Sequence, residues 1–174
     1  MERRIFDAEH HAFRNTVRAF ADKEIVPFHE QWEADGIVPT ELWRKAGALG
    51  LLGFMMPEEY GGGGMNDFRY NAILQEEITR AGGSGVGFAI HTDLVSSYLL
   101  AYASEEQKER WFPKFCSGES ITAIAMTEPG TGSDLQGIRT TAVRDGDDWV
   151  INGSKTFITN GINADFVVVV CQPD

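Results

Sequence analysis

Ala123-Ile124-Ala125-Met126-Thr127-Glu128-Pro129-Gly130-Thr131-Gly132-Ser133-Asp134 is where the chain changes character. An apolar run over 121–126 reads as a strand, and it breaks into a loop of Pro, Gly, Thr and Ser. Glycines at 130 and 132 let a ligand approach the main chain, and Thr127, Thr131 and Ser133 add short hydroxyl donors. Such a loop can cradle a phosphate or the edge of a heterocycle. Taken alone, it is equally the composition of an ordinary turn after a strand. Its spacing is not Gly-x-Gly-x-x-Gly, so it is not the dinucleotide fingerprint.

Before this loop the pattern is helical. Asp7 is placed to cap a first helix whose stripe is Phe13, Val17, Phe20, Ala21 and Ile25, ended by Pro27. Phe28 and Trp32 extend the buried side, and Asp35-Gly36 is a turn. Thr40 caps a second helix closed by Gly50, and Asp67 starts a third that runs to about Ala81. Glycines 61–64 are not followed by a Lys-Ser/Thr pair and read as a flexible surface connection. A fourth, strongly apolar helix is expected over 85–102, and Ser104-Glu105-Glu106-Gln107 is a capping box for a fifth.

After Gly118 the period shortens. Strand-like runs occupy 121–126, 140–144, 149–152, 155–159 and 166–171, with Asp145-Gly146 and Asn152-Gly153 as turn signals between them. The expected class is therefore α+β: a helical domain over 1–118, then an antiparallel β domain beginning at 119–174. Val167-Val168-Val169-Val170 reads as a buried strand close to the end of the sequence.

The 174 residues carry a net charge of −11, which argues against a nucleic-acid partner. The longest apolar runs are too short to span a membrane, and the polar start carries no signal-peptide pattern. Cys116 and Cys171 have no metal or redox spacing and read as reduced thiols. His10, His11, His29 and His91 likewise show no metal spacing.

A second stretch, Asn152-Gly153-Ser154-Lys155-Thr156-Phe157-Ile158-Thr159-Asn160-Gly161, completes the pattern. Together with residues 126–134 it resembles the flavin-binding signature of the acyl-CoA dehydrogenases, and the resemblance runs along essentially the whole chain. It implies FAD as cofactor, an acyl-CoA thioester of medium or long chain as substrate, electron-transfer flavoprotein as electron acceptor, and a homotetramer when full length. The location expected is cytoplasmic, or the mitochondrial matrix for a processed eukaryotic protein. By that resemblance Ile124, Met126, Thr127, Gly132, Ser133, Phe157, Ile158 and Thr159 hold the cofactor. Met126 and Thr127 would meet the flavin edge, Gly132 and Ser133 the pyrophosphate, and Thr159 the flavin N5. Ser133 would also touch the CoA substrate. Phe157 stands where many members carry a tryptophan. The family's catalytic glutamate belongs to a C-terminal helical domain, so no catalytic residue is expected in this chain, which would resemble the front part of such an enzyme. The acyl tail would thread between the third and fourth helices, where glycines 82, 83, 85 and 87 leave room. An acyl-CoA oxidase, a flavin monooxygenase of the same fold and a non-catalytic packing module remain open as alternatives.

The residues themselves also assign what is not chemistry. Glu128 and Asp134 sit in a tight loop where carboxylates accept backbone N–H groups. Glu76-Glu77 divides between a buried contact and solvent, and His91 belongs to the core.

Overall fold

Asp7 accepts the backbone N–H groups of Glu9 and His10 and so starts α1, Ala8–Glu24. This computed structural model describes residues 4–173; residues 1–3, on which the absence of a leader was partly read, lie outside it. A short helix, α2 (His29–Asp35), follows and ends at Gly36 in the left-handed conformation. The sequence reading placed only a turn here, and Phe28 is half exposed rather than buried. Then come α3 (Glu41–Ala48) and α4 (Phe68–Arg80), the latter capped by Asp67. Residues Ile90–Val95 form π-helical turns that lead into α5, Ser96–Tyr102. The Ser104 and Gln107 side chains close the expected capping box at the start of α6, Glu105–Ser117.

The apolar stripe of α1 packs on α4 and α3 in one core cluster, with Trp43 edge-on to Phe88 at 4.8 Å. Glu77 lies in this contact, only 2 % exposed, and accepts from Arg14, Arg18 and Arg80 at 2.7–2.9 Å. The hydrogen bond from Arg18, with those from the other arginines, holds its pKa down to about 2. Glu76 faces outward and pairs with Arg14, so the tandem divides as the sequence indicated.

Glycines 61–64 are not a flexible connection. The Gly62, Gly63 and Gly64 N–H groups donate to the Pro57, Gly53 and Met56 carbonyls, and an added Cβ at Gly62 would collide with the Met56 carbonyl. Glycine is required there by close backbone approach, which composition alone does not reveal.

The strands are β1 (Thr122–Ala125), β2 (Thr141–Asp145), β3 (Asp148–Asn152), β4 (Phe166–Val169) and β5 (Gln172–Pro173). Helices followed by a small sheet region is the order expected. Among the strands of the described residues, antiparallel pairing holds only for the β2–β3 hairpin. β1 pairs parallel with β4, Thr122 opposite Phe166, and β2 pairs parallel with β5. The long excursion between β1 and β4, which contains the hairpin, supplies the crossover that parallel strands need. The run 155–159 is not a strand either: Phe157 has φ 57° and Asn160 φ 65°, values that break a β ladder.

The second core cluster joins the two regions. Val95 and Leu99, Phe112, Phe115 and Cys116 of α6, and Ile124 of β1 are buried together, with Phe166 and Val168 of β4 against them. His91 lies between the regions, fully buried and stacked on Phe115 at 3.5 Å. Since a carbonyl can only accept, Nε2–H donates to Phe115 O (3.1 Å), and Nδ1 accepts from the Thr122 hydroxyl (2.9 Å). Burial pushes its pKa down to about 3, so the ring is neutral.

Candidate functional site

β1 delivers the chain to the loop. Ile124 is buried with its side chain in the core, so only its backbone is near the site. Met126 and Thr127 leave the strand end half-buried. The loop then folds back on itself. Glu128 N–H donates to Thr131 O (2.9 Å), Thr131 N–H donates to Glu128 O (3.1 Å), and the Thr131 hydroxyl bonds Gly137 O (2.8 Å). Asp134 caps a single 3-10 turn, Leu135–Gly137, by accepting from Gln136 N–H.

The two sequence stretches meet here. Thr156 N–H donates to Thr127 O at 3.0 Å. Lys155 Nζ donates to Met126 O (2.8 Å) and to Glu128 Oε1 (2.9 Å). Glu128 also accepts from Arg139 N–H, Thr140 N–H and the Thr140 hydroxyl. Chiefly through the Thr140 hydroxyl and the Arg139 N–H, its pKa falls to about 2. The structural reading of both loop carboxylates is therefore what the geometry shows. Lys155 was not singled out in the sequence, although a lone cation between two turn signals is the trace it leaves there.

The candidate contacts lie on the outer side of this knot. Gly132 and Ser133 are exposed, and an added Cβ at Gly130 or Gly132 would meet nothing within 4 Å. Phe157 is 91 % exposed and held in the left-handed region, which for an aromatic residue carries strain of about 1–3 kcal/mol. It is neither a strand residue nor a core residue. Thr159 is exposed and Ile158 half-buried, and they face different cavities. Ile158 lines one with Ile37, Val38 and Trp43. Thr159 lines another, of about 380 Å³, with Gln75, Ile78 and Thr79 of α4, the 82–87 turn, and Ala89 and Ile90.

Asn160 fixes this corner. Its Nδ2 donates to Gly87 O (3.1 Å) and Thr122 O (3.0 Å), tying the second stretch to both the helical region and β1. An added Cβ at Gly87 would overlap Asn160 Oδ1, so only glycine admits this bridge. Among the described residues no cluster of His, Cys, Asp and Glu could hold a metal ion, and no helix is long and apolar enough to cross a membrane.

Residues 7–119 match the family "Acyl-CoA dehydrogenase, N-terminal domain", and residues 123–174 match "Acyl-CoA dehydrogenase, middle domain". The chain is 51 % identical over 168 residues to the mitochondrial long-chain specific acyl-CoA dehydrogenase of Rattus norvegicus, covering 97 % of this chain and 39 % of that protein. An acyl-CoA dehydrogenase from Geobacillus kaustophilus superposes with a TM-score of 0.93 at 50 % identity, over 98 % of this chain and 44 % of that one. A glutaryl-CoA dehydrogenase from Mycobacterium smegmatis, solved in complex with FADH2, superposes at 0.88 with 34 % identity, over 98 % of this chain and 44 % of that one. The chain thus spans about two fifths of the length of the relatives it matches. Sequence and fold agree from the first helix to the last strand, and the chain belongs to the acyl-CoA dehydrogenase family.

Proposed function

We propose that this chain supplies the flavin-facing and acyl-facing walls of an FAD-dependent dehydrogenase that introduces a double bond between Cα and Cβ of an acyl-CoA thioester. The observation that carries the reading is the Lys155 bridge between Met126 O and Glu128. It locks the two motif stretches together, and four residues after Lys155 the second stretch brings Thr159 to a cavity shared with α4. The residues fit the cofactor. Open space over Gly130 and Gly132 admits a phosphate to the main chain, and Phe157 offers a free aromatic face for a planar ring. Of the two loop carboxylates, Glu128 is neutralised by Lys155, and Asp134 turns away to accept from Gln136 N–H.

On this reading Met126 and Thr127 hold the flavin edge and Gly132 and Ser133 the pyrophosphate. Phe157 packs on the ring, and Thr159 places a hydroxyl at N5. Ser133 also meets the CoA moiety. Ile124 and Ile158 contribute through backbone position. FAD, when bound here, would supply the hydride acceptor. The residues of this chain orient it, and the groove between α4 and residues 89–90 holds the acyl tail against water.

The base lies outside this chain. Glu77 and Glu128 are the two buried carboxylates among the described residues, both held near pKa 2 by their donors. A carboxylate so stabilised is a poor proton acceptor. We place the boundary between helical and flavin-binding domains at 118/119, and assign homo-oligomer assembly, electron-transfer flavoprotein as acceptor, and a mitochondrial matrix or cytoplasmic location to the whole protein. An acyl-CoA oxidase or monooxygenase would share these walls; the electron acceptor used by the whole protein separates them.

Titration of the chain with FAD, followed by flavin fluorescence, tests the cofactor assignment. Binding is expected, weakened about tenfold or more in Phe157→Ala, the scale on which an aromatic stacking partner counts. Binding that Phe157→Ala leaves unchanged would overturn the assignment of this face.

A further inference from the structure

Two Asn-Gly pairs bound the second stretch, Asn152-Gly153 at its start and Asn160-Gly161 at its end. Asparagine followed by glycine is chemically labile, because no side chain hinders the glycine nitrogen from attacking the asparagine side chain. The structure treats the two pairs in opposite ways. Asn160 Nδ2 is tied to Gly87 O and Thr122 O, and the Gly161 N–H, the attacking group, donates to Ile158 O at 2.9 Å. Attack there has to open all three bonds. Asn152 is exposed at the end of β3, and Gly153 is exposed in the irregular segment that follows. Among the described residues neither the Asn152 side chain nor the Gly153 N–H has a hydrogen-bond partner.

The open pair also sits against the knot of the site. Gly153 packs so closely on Thr140 that an added Cβ would overlap the threonine hydroxyl. That hydroxyl donates to Glu128, and Lys155, two residues beyond Gly153, bridges Glu128 to Met126 O. We propose that Asn152 is a site of spontaneous deamidation, and that its conversion to isoaspartate loosens the Glu128–Lys155 knot while the Asn160 bridge is spared. The Gly153 nitrogen attacks Asn152 Cγ, the Cγ–Nδ2 bond breaks, and ammonia leaves with the proton from that nitrogen. Water then opens the succinimide at the Asn152 main-chain carbonyl, its hydroxyl going to that carbon and its proton to the Gly153 nitrogen. The main-chain carbonyl becomes a free carboxylate, and the chain now runs through Cβ, one methylene longer. The added methylene displaces Gly153 from Thr140 and shifts Lys155, so that buried Glu128 loses donors it needs.

The test is ageing of the folded chain at mildly alkaline pH, with isoaspartate counted by protein L-isoaspartyl methyltransferase and a labelled methyl donor. Trypsin, cutting after Arg144 and Lys155, places the two pairs in separate peptides. Peptide 145–155 is expected to gain label at least about tenfold faster than peptide 156–174, since three hydrogen bonds must open first at Asn160. In denaturant the two rates should converge. Equal rates in the folded chain, or no label in peptide 145–155, would overturn the site. The aged chain is expected to melt at a lower temperature than the fresh one, whereas Asn152→Gln, whose longer side chain closes such a ring poorly, should melt alike before and after ageing. Label without a fall in melting temperature, or an equal fall in Asn152→Gln, would overturn the coupling to the knot. Flavin titration of the same samples rests on the cofactor reading above and is expected to show weaker binding after ageing. An aged chain that melts lower yet binds FAD as the fresh one does would count against that reading and leave the deamidation site standing.

Discussion

Glu128 accepts from two backbone N–H groups, a hydroxyl and an ammonium, and in doing so sets the path of the loop on which Gly130, Gly132 and Ser133 are presented. Its ionised form is part of the fold. With the folded pKa depressed to about 2 from 4.5, the stability it contributes is complete above pH 4.5 and is lost as pH falls toward 2; Glu77 behaves in the same way. His91 adds an earlier stage. It is neutral in the fold, with a pKa near 3 instead of 6.5, so the unfolded chain takes up a proton first and stability declines below pH 6.5. The melting temperature is therefore expected to fall in two stages on acidification, a gentle one from His91 and a steeper one below pH 4.5 from the carboxylates. His91→Gln should melt lower at neutral pH yet lose the first stage. A variant slope between pH 6.5 and 4.5 equal to that of the parent would contradict the assignment. At this scale local chemistry was legible: the Asp7 and Ser104 caps and Asp134 follow from near neighbours in sequence, while Glu128 and His91 were legible from residue type and context even though their partners lie 11 to 31 residues away. The left-handed Phe157 did not, because a side chain in a β-type run gives no sign that its backbone will be held by contacts made elsewhere.

At the scale of elements, the corner between the 82–87 turn and residues 157–161 joins what the helices build to what the strands build. Gly87 and Gly132 make a paired test of it. At Gly87 an added methyl overlaps Asn160 Oδ1, whose side chain bonds both Gly87 O and Thr122 O. Gly87→Ala is expected to destabilise the chain by about 2–3 kcal/mol, the range for a core clash and a broken buried hydrogen-bond pair. At Gly132 the added methyl meets nothing within 4 Å, so Gly132→Ala should leave stability within about 0.5 kcal/mol while weakening FAD binding. Denaturant unfolding and flavin titration read the two effects separately; a Gly132→Ala that binds FAD as the parent does would remove Gly132 from the site. Helix starts and the helix-to-strand change were legible because hydrophobic periodicity is local. The parallel pairing of β1 with β4 was not, nor was the turn at 155–159, nor the pinned glycines 61–64. The first two are decided by partners far away in sequence, β4 for β1 and Thr127 and Met126 for Thr156 and Lys155; the glycines are pinned by close approach to the nearby Phe54 and Met56 backbone, which residue type alone does not reveal.

For the whole molecule, two buried clusters carry the fold, and the second includes residues of both the helical and the strand region. The proposed site lies near the seam between them: α4, the 82–87 turn and residues 89–90 line a cavity together with Thr159 of the second stretch. Family membership was readable from two short stretches because their glycines, threonines and lysine answer to a shared geometry. Two open amide atoms on α4 were not readable. Gln75 and Asn71 look in the sequence like polar positions of an amphipathic helix, and only packing shows that each leaves an atom unpaired. The chain is expected to hold a flavin and an acyl thioester without holding the base that would start the reaction. The visible absorbance spectrum of the chain with bound FAD, followed through anaerobic addition of a long-chain acyl-CoA, tests it most directly. The expected result is a flavin band that is retained and perturbed by the thioester but not bleached. Bleaching would contradict it, since it requires a competent base within these residues.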